Sequence, residues 1–316
     1  NTFTYASLTL PTVSSVTATG LQVNLVGTDI FLGTSPNQYN LGGDGLVKDY
    51  KSGDATWVPT LLNNLWDVGK FIGSSGADQI NVAAGPTGGG FASIDGGSGA
   101  DSIPLSGAAK IGSIVGGAGA DTLTGGTGND TFTFANSEFA SGEYVNGGSG
   151  TDALSLSVGS NDFSTGALLS IEALTFTQTS GSVMATFKGT QVLDTTQLLL
   201  ALSVTGSGGT DAVVVTLPSS LSVSLSTWTF ASWTAGTDTI TVNGSASGDI
   251  ITGSSERDTL NGGDGADSLT GGSGADTITG GAGGDSITLT ESVAAADIVR
   301  YTANTEGLDT ITGFTA

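Results

Sequence analysis

Five nonapeptides follow one another without a gap from Gly244 to Thr288, and they read GSASGDIIT, GSSERDTLN, GGDGADSLT, GGSGADTIT and GGAGGDSIT. Every unit has aspartate at its sixth position and an aliphatic residue at its eighth. The last three units also have glycine at positions one, two and four. A period of nine that persists through five units indicates a stacked repeat architecture, in which each unit packs mainly on its neighbours.

A looser set of the same units lies upstream. These units are GSSGADQIN from Gly73, GGSGADSIP from Gly96, GGAGADTLT from Gly116, GGTGNDTFT from Gly125 and GGSGTDALS from Gly147. Half-copies surround Asp211, Asp238 and Asp309, each with an aliphatic residue two places later. A flexible glycine-serine linker does not keep aspartate and an aliphatic residue in register, so the pattern favours folded repeats.

The unit itself predicts a turn followed by a strand. Glycine at positions one, two and four permits positive φ and close backbone approach, so the first six residues are expected to form a tight turn. The last three residues, as in SLT and TIT, alternate hydroxyl and aliphatic side chains like a half-buried strand. Stacking at about 4.8 Å would align the aliphatics inside and the aspartates in a column along the turns.

The aspartate column predicts a cation site. Carboxylates on neighbouring turns repel each other by roughly 1 to 4 kcal/mol per pair at about 4 Å, depending on the local dielectric. Calcium fits such a column because it takes six to eight oxygen ligands, and glycine turns expose carbonyls that can complete its shell. Magnesium is less suitable because it demands octahedral geometry, and the nitrogen and sulfur ligands that zinc prefers are largely missing.

Composition excludes several classes of function. The chain has 316 residues with no cysteine and no histidine, which removes disulfide frameworks, imidazole bases and the usual zinc sites. Its 29 acidic residues against 7 scattered basic ones argue against nucleic acid as a partner. No apolar run approaches the length of a membrane-spanning helix. The chain begins at Asn1, so we expect it to be a processed chain or part of a longer one.

The nonapeptides resemble the RTX (repeats-in-toxin) calcium-binding repeats of secreted bacterial toxins, proteases, lipases, adhesins and surface-layer proteins. The clear motifs cover roughly a third of the chain. The resemblance implies an all-β fold, a right-handed parallel β-roll or β-solenoid in which two nonapeptides make one coil, with additional β-rich segments. It also implies several calcium ions held between adjacent turns, type I secretion, and folding triggered by calcium outside the bacterial cell.

The predicted calcium ligands are sixth-position aspartates and turn carbonyls. The aspartates are Asp78, Asp101, Asp121, Asp130, Asp152, Asp249, Asp258, Asp267, Asp276 and Asp285. The carbonyls lie near Gly116, Gly119, Gly125, Gly128, Gly262, Gly265, Gly271, Gly274, Gly280 and Gly283. The units that begin at Gly244 and Gly253 have serine or glutamate at positions two and four, so we expect them to bind metal less completely. No catalytic or other cofactor-binding residues are predicted.

We divide the sequence into five segments. Residues 1–72 form an N-terminal β-rich segment, in which the apolar stretch after Pro59 fits either a short helix or a packed strand pair. Residues 73–155 hold the first, interrupted RTX cluster, and residues 156–243 are a β-rich solenoid or sandwich segment. Residues 244–290 hold the contiguous nonapeptides, and residues 291–316 form a C-terminal RTX-flanking segment.

Three functions remain open at this stage. The first is a secreted structural protein of the bacterial cell surface that self-assembles, as a surface-layer, sheath or filament subunit. The second is an adhesin segment, a calcium-stiffened spacer that recognises a partner such as a cell-surface glycan. The third is the non-catalytic C-terminal part of a secreted hydrolase. We expect the chain itself not to be an enzyme, because carboxylates are scarce in residues 153–243 and only Trp228 and Trp233 are candidate sugar platforms there.

Overall fold

The computed structural model describes residues 76–83, 90–91, 93–106, 110–193, 201–289, 295–302 and 306–313, and five strands between residues 7 and 72. The helix or strand pair expected after Pro59 lies outside the described residues. The described part of the chain is almost entirely β, with no helix long and apolar enough to cross a membrane.

The described strands are short and follow one another along the chain. The first sixteen are β1 (Ser7–Thr9), β2 (Asp29–Phe31), β3 (Gln38–Leu41), β4 (Val47–Tyr50), β5 (Lys70–Ile72), β6 (Gln79–Ala83), β7 (Gly90–Phe91), β8 (Ser93–Ser98), β9 (Ser102–Ser106), β10 (Lys110–Ile111), β11 (Ile114–Ala118), β12 (Thr122–Thr124), β13 (Thr131–Phe134), β14 (Tyr144–Asn146), β15 (Ala153–Leu156) and β16 (Gly159–Asp162). The others are β17 (Ala167–Leu169), β18 (Ala173–Phe176), β19 (Ser182–Lys188), β20 (Ser203–Thr205), β21 (Thr210–Thr216), β22 (Ser222–Ser224), β23 (Thr229–Ala231), β24 (Thr239–Asn243), β25 (Ile250–Thr252), β26 (Asp258–Asp264), β27 (Ser268–Thr270), β28 (Thr277–Ala282), β29 (Ser286–Thr288), β30 (Ile298–Val299) and β31 (Thr310–Thr312). A 3-10 helix spans Phe163–Thr165, and one helix, α1, spans Gly189–Leu193.

The chain forms two compact units. Unit 1 comprises residues 1–134, 138–154 and 165–170, and unit 2 comprises residues 135–137, 155–164 and 171–316. Each unit is built from rows of hydrogen-bonded strands, and all the described pairs are parallel except β3 with β4.

Unit 1 has two main rows of strands. One row has the order β1-β2-β5-β8-β11-β13-β15, and the other has the order β17-β14-β12-β9-β6-β3-β4. The chain alternates between them, since β8, β11 and β13 belong to the first row while β9, β12 and β14 belong to the second. Two nonapeptides therefore make one coil, as predicted, and aliphatic residues of successive coils align, for example Leu123 with Ile103 and with Val145.

Unit 2 has three rows of strands. They are β16-β19-β21-β24-β26-β28-β30, β22-β25-β27-β29-β31 and β18-β20-β23. From β24 onwards the chain alternates between the first two rows, one strand for each nonapeptide. The chain therefore forms a parallel β-solenoid, and its nonapeptide regions form the predicted parallel β-roll.

The core of the roll is the column of eighth-position residues. Ile251, Leu269 and Ile287 lie in register on neighbouring strands and are fully buried. The residues that flank them are partly or fully exposed, and all of these are serine or threonine except Ile250, so the predicted alternation of strand faces is confirmed here. The turn predicted over the first six residues of each unit is shorter in some units. There β26 and β28 continue through the first three residues of the next unit and pair Gly263 with Gly281.

The Leu269→Ala variant should destabilise the protein by about 2 to 5 kcal/mol in excess calcium, because it leaves a cavity between Ile251 and Ile287. Urea unfolding measures this loss. The matched control is Val158→Ala, which shortens an aliphatic side chain that is 42% exposed and should change stability by less than about 0.5 kcal/mol. Equal effects of the two variants would contradict the assigned core.

Candidate metal centre

The sixth-position residues of unit 2 form a ladder before the strands of the second row. We call it the Asp249 column, and its members are Leu221, Asp249, Asp267, Asp285 and Asp309. The backbone N–H of each member donates a hydrogen bond to the carboxylate Oδ1 of the next, over 2.7, 2.7, 2.9 and 3.0 Å in chain order. Each carboxylate therefore faces the backbone of the preceding coil as well as its own turn.

A second ladder lies before the strands of the first row of unit 2. We call it the Asp258 column, formed by Asp258, Asp276 and Asp297, with N–H to Oδ1 distances of 2.9 and 3.0 Å. Asp211 and Asp238 form a separate pair of the same kind at 3.0 Å. This pair is out of step with the column, because Ile240 rather than Asp238 is in register with Asp258.

Unit 1 repeats the arrangement. In the Asp101 column, formed by Asp78, Asp101, Asp121 and Glu143, successive N–H to carboxylate distances are 2.7, 2.7 and 3.1 Å. On the other turn, the N–H of Asp130 donates to Asp152 Oδ1 over 2.8 Å. All ten predicted aspartates thus lie in such ladders, and adjacent members are separated by a whole coil of about 20 residues.

The ladder carboxylates are buried. None of the ten predicted aspartates is more than 3% exposed, and Glu143 is 1% exposed. The column predicted along the turns therefore exists, but its side chains point into the protein rather than into solvent. Buried carboxylates are costly unless hydrogen-bond donors or a cation compensate the charge.

Several of these carboxylates have one oxygen that no protein group satisfies. Within the described residues, no hydrogen-bond partner exists for one oxygen of each of Asp101, Asp121, Asp130, Glu143, Asp267 and Asp285. Most buried polar atoms in proteins do have a partner, so a set of orphaned acceptors at equivalent repeat positions indicates a cation-binding site.

The glycines bring backbone carbonyls close to these orphaned oxygens. At Gly96, a Cβ atom would lie 2.5 Å from Asp101 Oδ2 and 2.5 Å from the carbonyl oxygen of Gly116, so these two oxygens are at most about 5 Å apart. The same arrangement recurs at Gly262 with Asp267 Oδ2 and the carbonyl of Gly280. The first glycine is therefore needed for close approach rather than for positive φ, whereas positions two and four, as in Gly281 and Gly283, do have positive φ.

This donor set fits calcium. Two oxygens that bind one calcium ion at about 2.3 to 2.6 Å lie within about 5 Å of each other, as the carboxylate and carbonyl oxygens here do. No group of three or more carboxylates in the described part of the chain could hold a metal by side chains alone, so carbonyls must complete the shell. Among the predicted carbonyls, those of Gly116 and Gly280 lie beside orphaned oxygens, and those of Gly128, Gly262, Gly265 and Gly271 face a glycine of the adjacent coil.

Burial is the main cost of ionising these carboxylates. Burial raises the pKa of Glu143 to about 8, of Asp101 to about 7 and of Asp267 to about 6, and repulsion from neighbouring carboxylates adds less. Burial likewise raises the pKa of Asp121 and Asp285. The sequence predicted repulsion between neighbouring carboxylates, which does raise these pKa values, but loss of hydration on burial raises them more.

In the two units that have serine at position two, the serine donates hydrogen bonds to the sixth-position carboxylate. In the unit from Gly244, the Ser245 N–H and Oγ donate to Asp249 Oδ2 over 2.7 and 2.9 Å. In the unit from Gly253, the Ser254 N–H donates to Asp258 Oδ2 over 2.6 Å, and its Oγ lies 3.1 Å from both carboxylate oxygens. Neither aspartate has an orphaned oxygen.

Two members of the ladders were missed by the sequence pattern. Glu143 takes the place of an aspartate opposite Asp121, and Asp297 takes the place opposite Asp276. Each is followed two residues later by an aliphatic residue, Val145 or Val299, which was the available signal. Their units lack the paired glycines, so the nonapeptide pattern did not include them.

A family model of RTX calcium-binding nonapeptide repeats matches the chain in four copies, at residues 107–135, 234–265, 243–278 and 252–287. The matched segments are RTX calcium-binding repeats. The matched residues contain the ladder aspartates from Asp121 to Asp130 and from Asp238 to Asp285, and RTX repeats bind several calcium ions. No curated protein and no solved structure matches the chain significantly.

The calcium-free RTX protein should be more stable at about pH 5 than at about pH 8. The buried carboxyls have raised pKa values, so below about pH 4 they are neutral in both the folded and unfolded states and carry no penalty. Between about pH 4 and about pH 8 the unfolded chain ionises first, and the fold loses stability. Urea midpoints in chelator across this range measure the effect; a midpoint that rises with pH would contradict it, and added calcium should restore stability at about pH 8.

Proposed function

We propose that this RTX protein is a secreted structural protein of the bacterial cell surface, which folds and self-associates when calcium occupies its carboxylate columns. The observation that carries the proposal is the set of buried, orphaned carboxylate oxygens beside glycine carbonyls in both units. RTX repeat proteins are typically secreted by bacteria, where extracellular calcium is available. The ligands would be the ladder carboxylates and the carbonyls of the adjacent glycine turns.

Calcium would supply positive charge beside the carboxylate oxygens that have no hydrogen-bond donor among the described residues. The Oδ1 atoms of Asp267 and Asp285 accept an N–H of the preceding coil, which fixes the orientation of each carboxylate. The orphaned oxygen is then turned towards the glycine corner of its own unit. Calcium binding would therefore stabilise the contact between coils, and folding and binding would be coupled.

Self-association is supported by one groove on unit 2. The groove has a volume of about 610 Å³ and is lined by Asp249, Asp267 and Asp285 together with Ile250 and Leu308. These two aliphatic side chains are 53% and 94% exposed, which leaves apolar surface that a second copy could cover. Because the groove follows the Asp249 column, we expect calcium to control the association.

A non-catalytic role is supported by the few carboxylates and tryptophans of the middle segment. Asp211 and Asp238 are buried and accept backbone hydrogen bonds in their ladder. Trp228 is buried, and Trp233 packs against Phe176 and Phe230 with centroid distances of 6.2 and 5.4 Å. Buried or packed tryptophans are poor platforms for a sugar ring, which argues against glycoside hydrolysis.

Chelation should reduce the β signal in circular dichroism, and calcium at about 0.1 to 1 mM should restore it, since this is the usual range of extracellular modules. The Asp276→Ala variant should shift the titration of the neighbouring sites to higher calcium, because it removes one ladder carboxylate while distant coils remain intact. The matched control is Asp264→Ala, an exposed carboxylate of the preceding nonapeptide, which should titrate like the parent. A spectrum that does not change in excess chelator would contradict calcium-coupled folding.

Size-exclusion chromatography with and without calcium tests the structural role. We expect calcium to shift the protein to larger assemblies and chelator to return it to the monomer. Ile250→Ser and Leu308→Ser should weaken the assembly without loss of calcium-induced β signal, because both side chains are exposed. A protein that stays monomeric at every calcium concentration would rule out self-association and would favour the adhesin or hydrolase-flank alternatives.

A further inference from the structure

The ladders of unit 2 contain two kinds of unit, distinguished by the residue at position two. Four of the units between Gly206 and Asp258 have a hydroxyl residue there, namely Ser207, Thr234, Ser245 and Ser254, and the remaining unit has Leu221 instead of a carboxylate at its sixth position. The next three units, which begin at Gly262, Gly271 and Gly280, have glycine there with positive φ. The change occurs at one place in the sequence, between Asn261 and Gly262.

In the hydroxyl units, the turn itself satisfies the sixth-position carboxylate. The position-two N–H donates to that carboxylate in all four units, over 2.5 Å at Ser207, 2.6 Å at Thr234, 2.7 Å at Ser245 and 2.6 Å at Ser254. The serine hydroxyls add a second donor, as in the 2.9 Å contact of Ser207 Oγ with Asp211 Oδ1. No carboxylate oxygen of Asp211, Asp238, Asp249 or Asp258 is orphaned.

In the glycine units that begin at Gly262 and Gly280, the described residues offer no such donor. The positive φ of Gly263 and Gly281 accompanies a turn in which the carboxylates of Asp267 and Asp285 each retain one orphaned oxygen. Unit 1 provides a mixed case that separates the two effects. Gly126 does not have positive φ, and its N–H donates to Asp130 Oδ2 over 2.8 Å, but without a hydroxyl Asp130 Oδ1 remains orphaned. Full satisfaction therefore takes a second donor beside the position-two N–H, which is a serine hydroxyl at Asp211 and Asp258 and the backbone N–H of Asp211 at Asp238.

The hydroxyl units also have a core of their own. Between Ser203 and Asn261, the inward residues Val213, Val215, Leu225, Val242 and Leu260 are buried, as is Trp228. The strands of this block pair with one another in register, β21 with β24, β24 with β26 and β22 with β25. The block therefore has both satisfied turns and a continuous apolar interior.

We propose that residues 203–261 are a calcium-independent block, in which backbone N–H groups and serine hydroxyls of the turns replace calcium, and that this block is the template on which the calcium-dependent coils of residues 262–289 fold. The inference rests on the proposed calcium-coupled folding and assigns it to one part of unit 2. The block presents the N–H groups of Asp249 and Asp258 to the carboxylates of Asp267 and Asp276. Two backbone N–H donors are therefore already oriented before the first calcium-dependent coil binds its ion.

Hydrogen exchange of the full chain in calcium and in chelator tests this division. In chelator, we expect amides of β21, β24 and β26 to remain protected, while amides of β27 and β29 exchange about tenfold faster or more than they do in calcium. If both segments lose protection together, the template does not exist. If neither segment responds to chelator, the proposed calcium-coupled folding fails instead, so the two failures are distinguishable.

The Ser254→Ala variant tests the role of the hydroxyl. It removes the Oγ donor of Asp258 and should increase exchange around Thr259 and Leu260 in chelator, with the calcium-bound protein affected less. The matched control is Ser255→Ala at the exposed neighbouring position, which should exchange like the parent. If Ser254→Ala behaves like Ser255→Ala, or if the parent block is unprotected in chelator, the hydroxyl does not replace calcium and the inference is overturned.

Discussion

The structure depends on buried carboxylates that recur from coil to coil. Carboxylates such as Asp121, Asp267 and Asp285 accept the N–H of the residue one coil earlier, so each of them links two neighbouring coils. The same burial removes its hydration and disfavours its charge. The fold therefore creates acidic sites that require compensation, either from a cation or from additional hydrogen bonds within the turn.

The glycines make this arrangement sterically possible. A side chain on the first glycine of a unit would collide with the carboxylate of its own unit, as at Gly116 with Asp121 and Gly280 with Asp285. Neighbouring turns are so close that carbonyls of one coil would also collide with Cβ atoms on the next. Close stacking brings carbonyl oxygens next to orphaned carboxylate oxygens, and this proximity makes them a suitable set of ligands for calcium.

Much of this could be predicted from the sequence. The nine-residue period predicted the strand at each unit, the buried eighth residue and the columns of aspartates, because each depends on local pattern alone. The inward orientation of the carboxylates and the ladder of N–H donors could not be predicted, since they require the position of the adjacent coil. Glu143 was not predicted as a ladder residue because the nonapeptide pattern includes paired glycines. Its place in the ladder requires only an acidic residue opposite Asp121. The different environment of Asp258 and Asp267 likewise depends on turn conformation, which Ser254 and Gly263 only suggest.

The central claim is that orphaned carboxylate oxygens are the calcium ligands. Anomalous diffraction from calcium-loaded crystals tests it most directly, because it locates each ion independently of the protein atoms. The account predicts ions about 2.3 to 2.6 Å from the orphaned oxygens of Asp101, Asp121, Asp267 and Asp285. Ions found only at exposed carboxylates, with these buried oxygens still unbound, would contradict it.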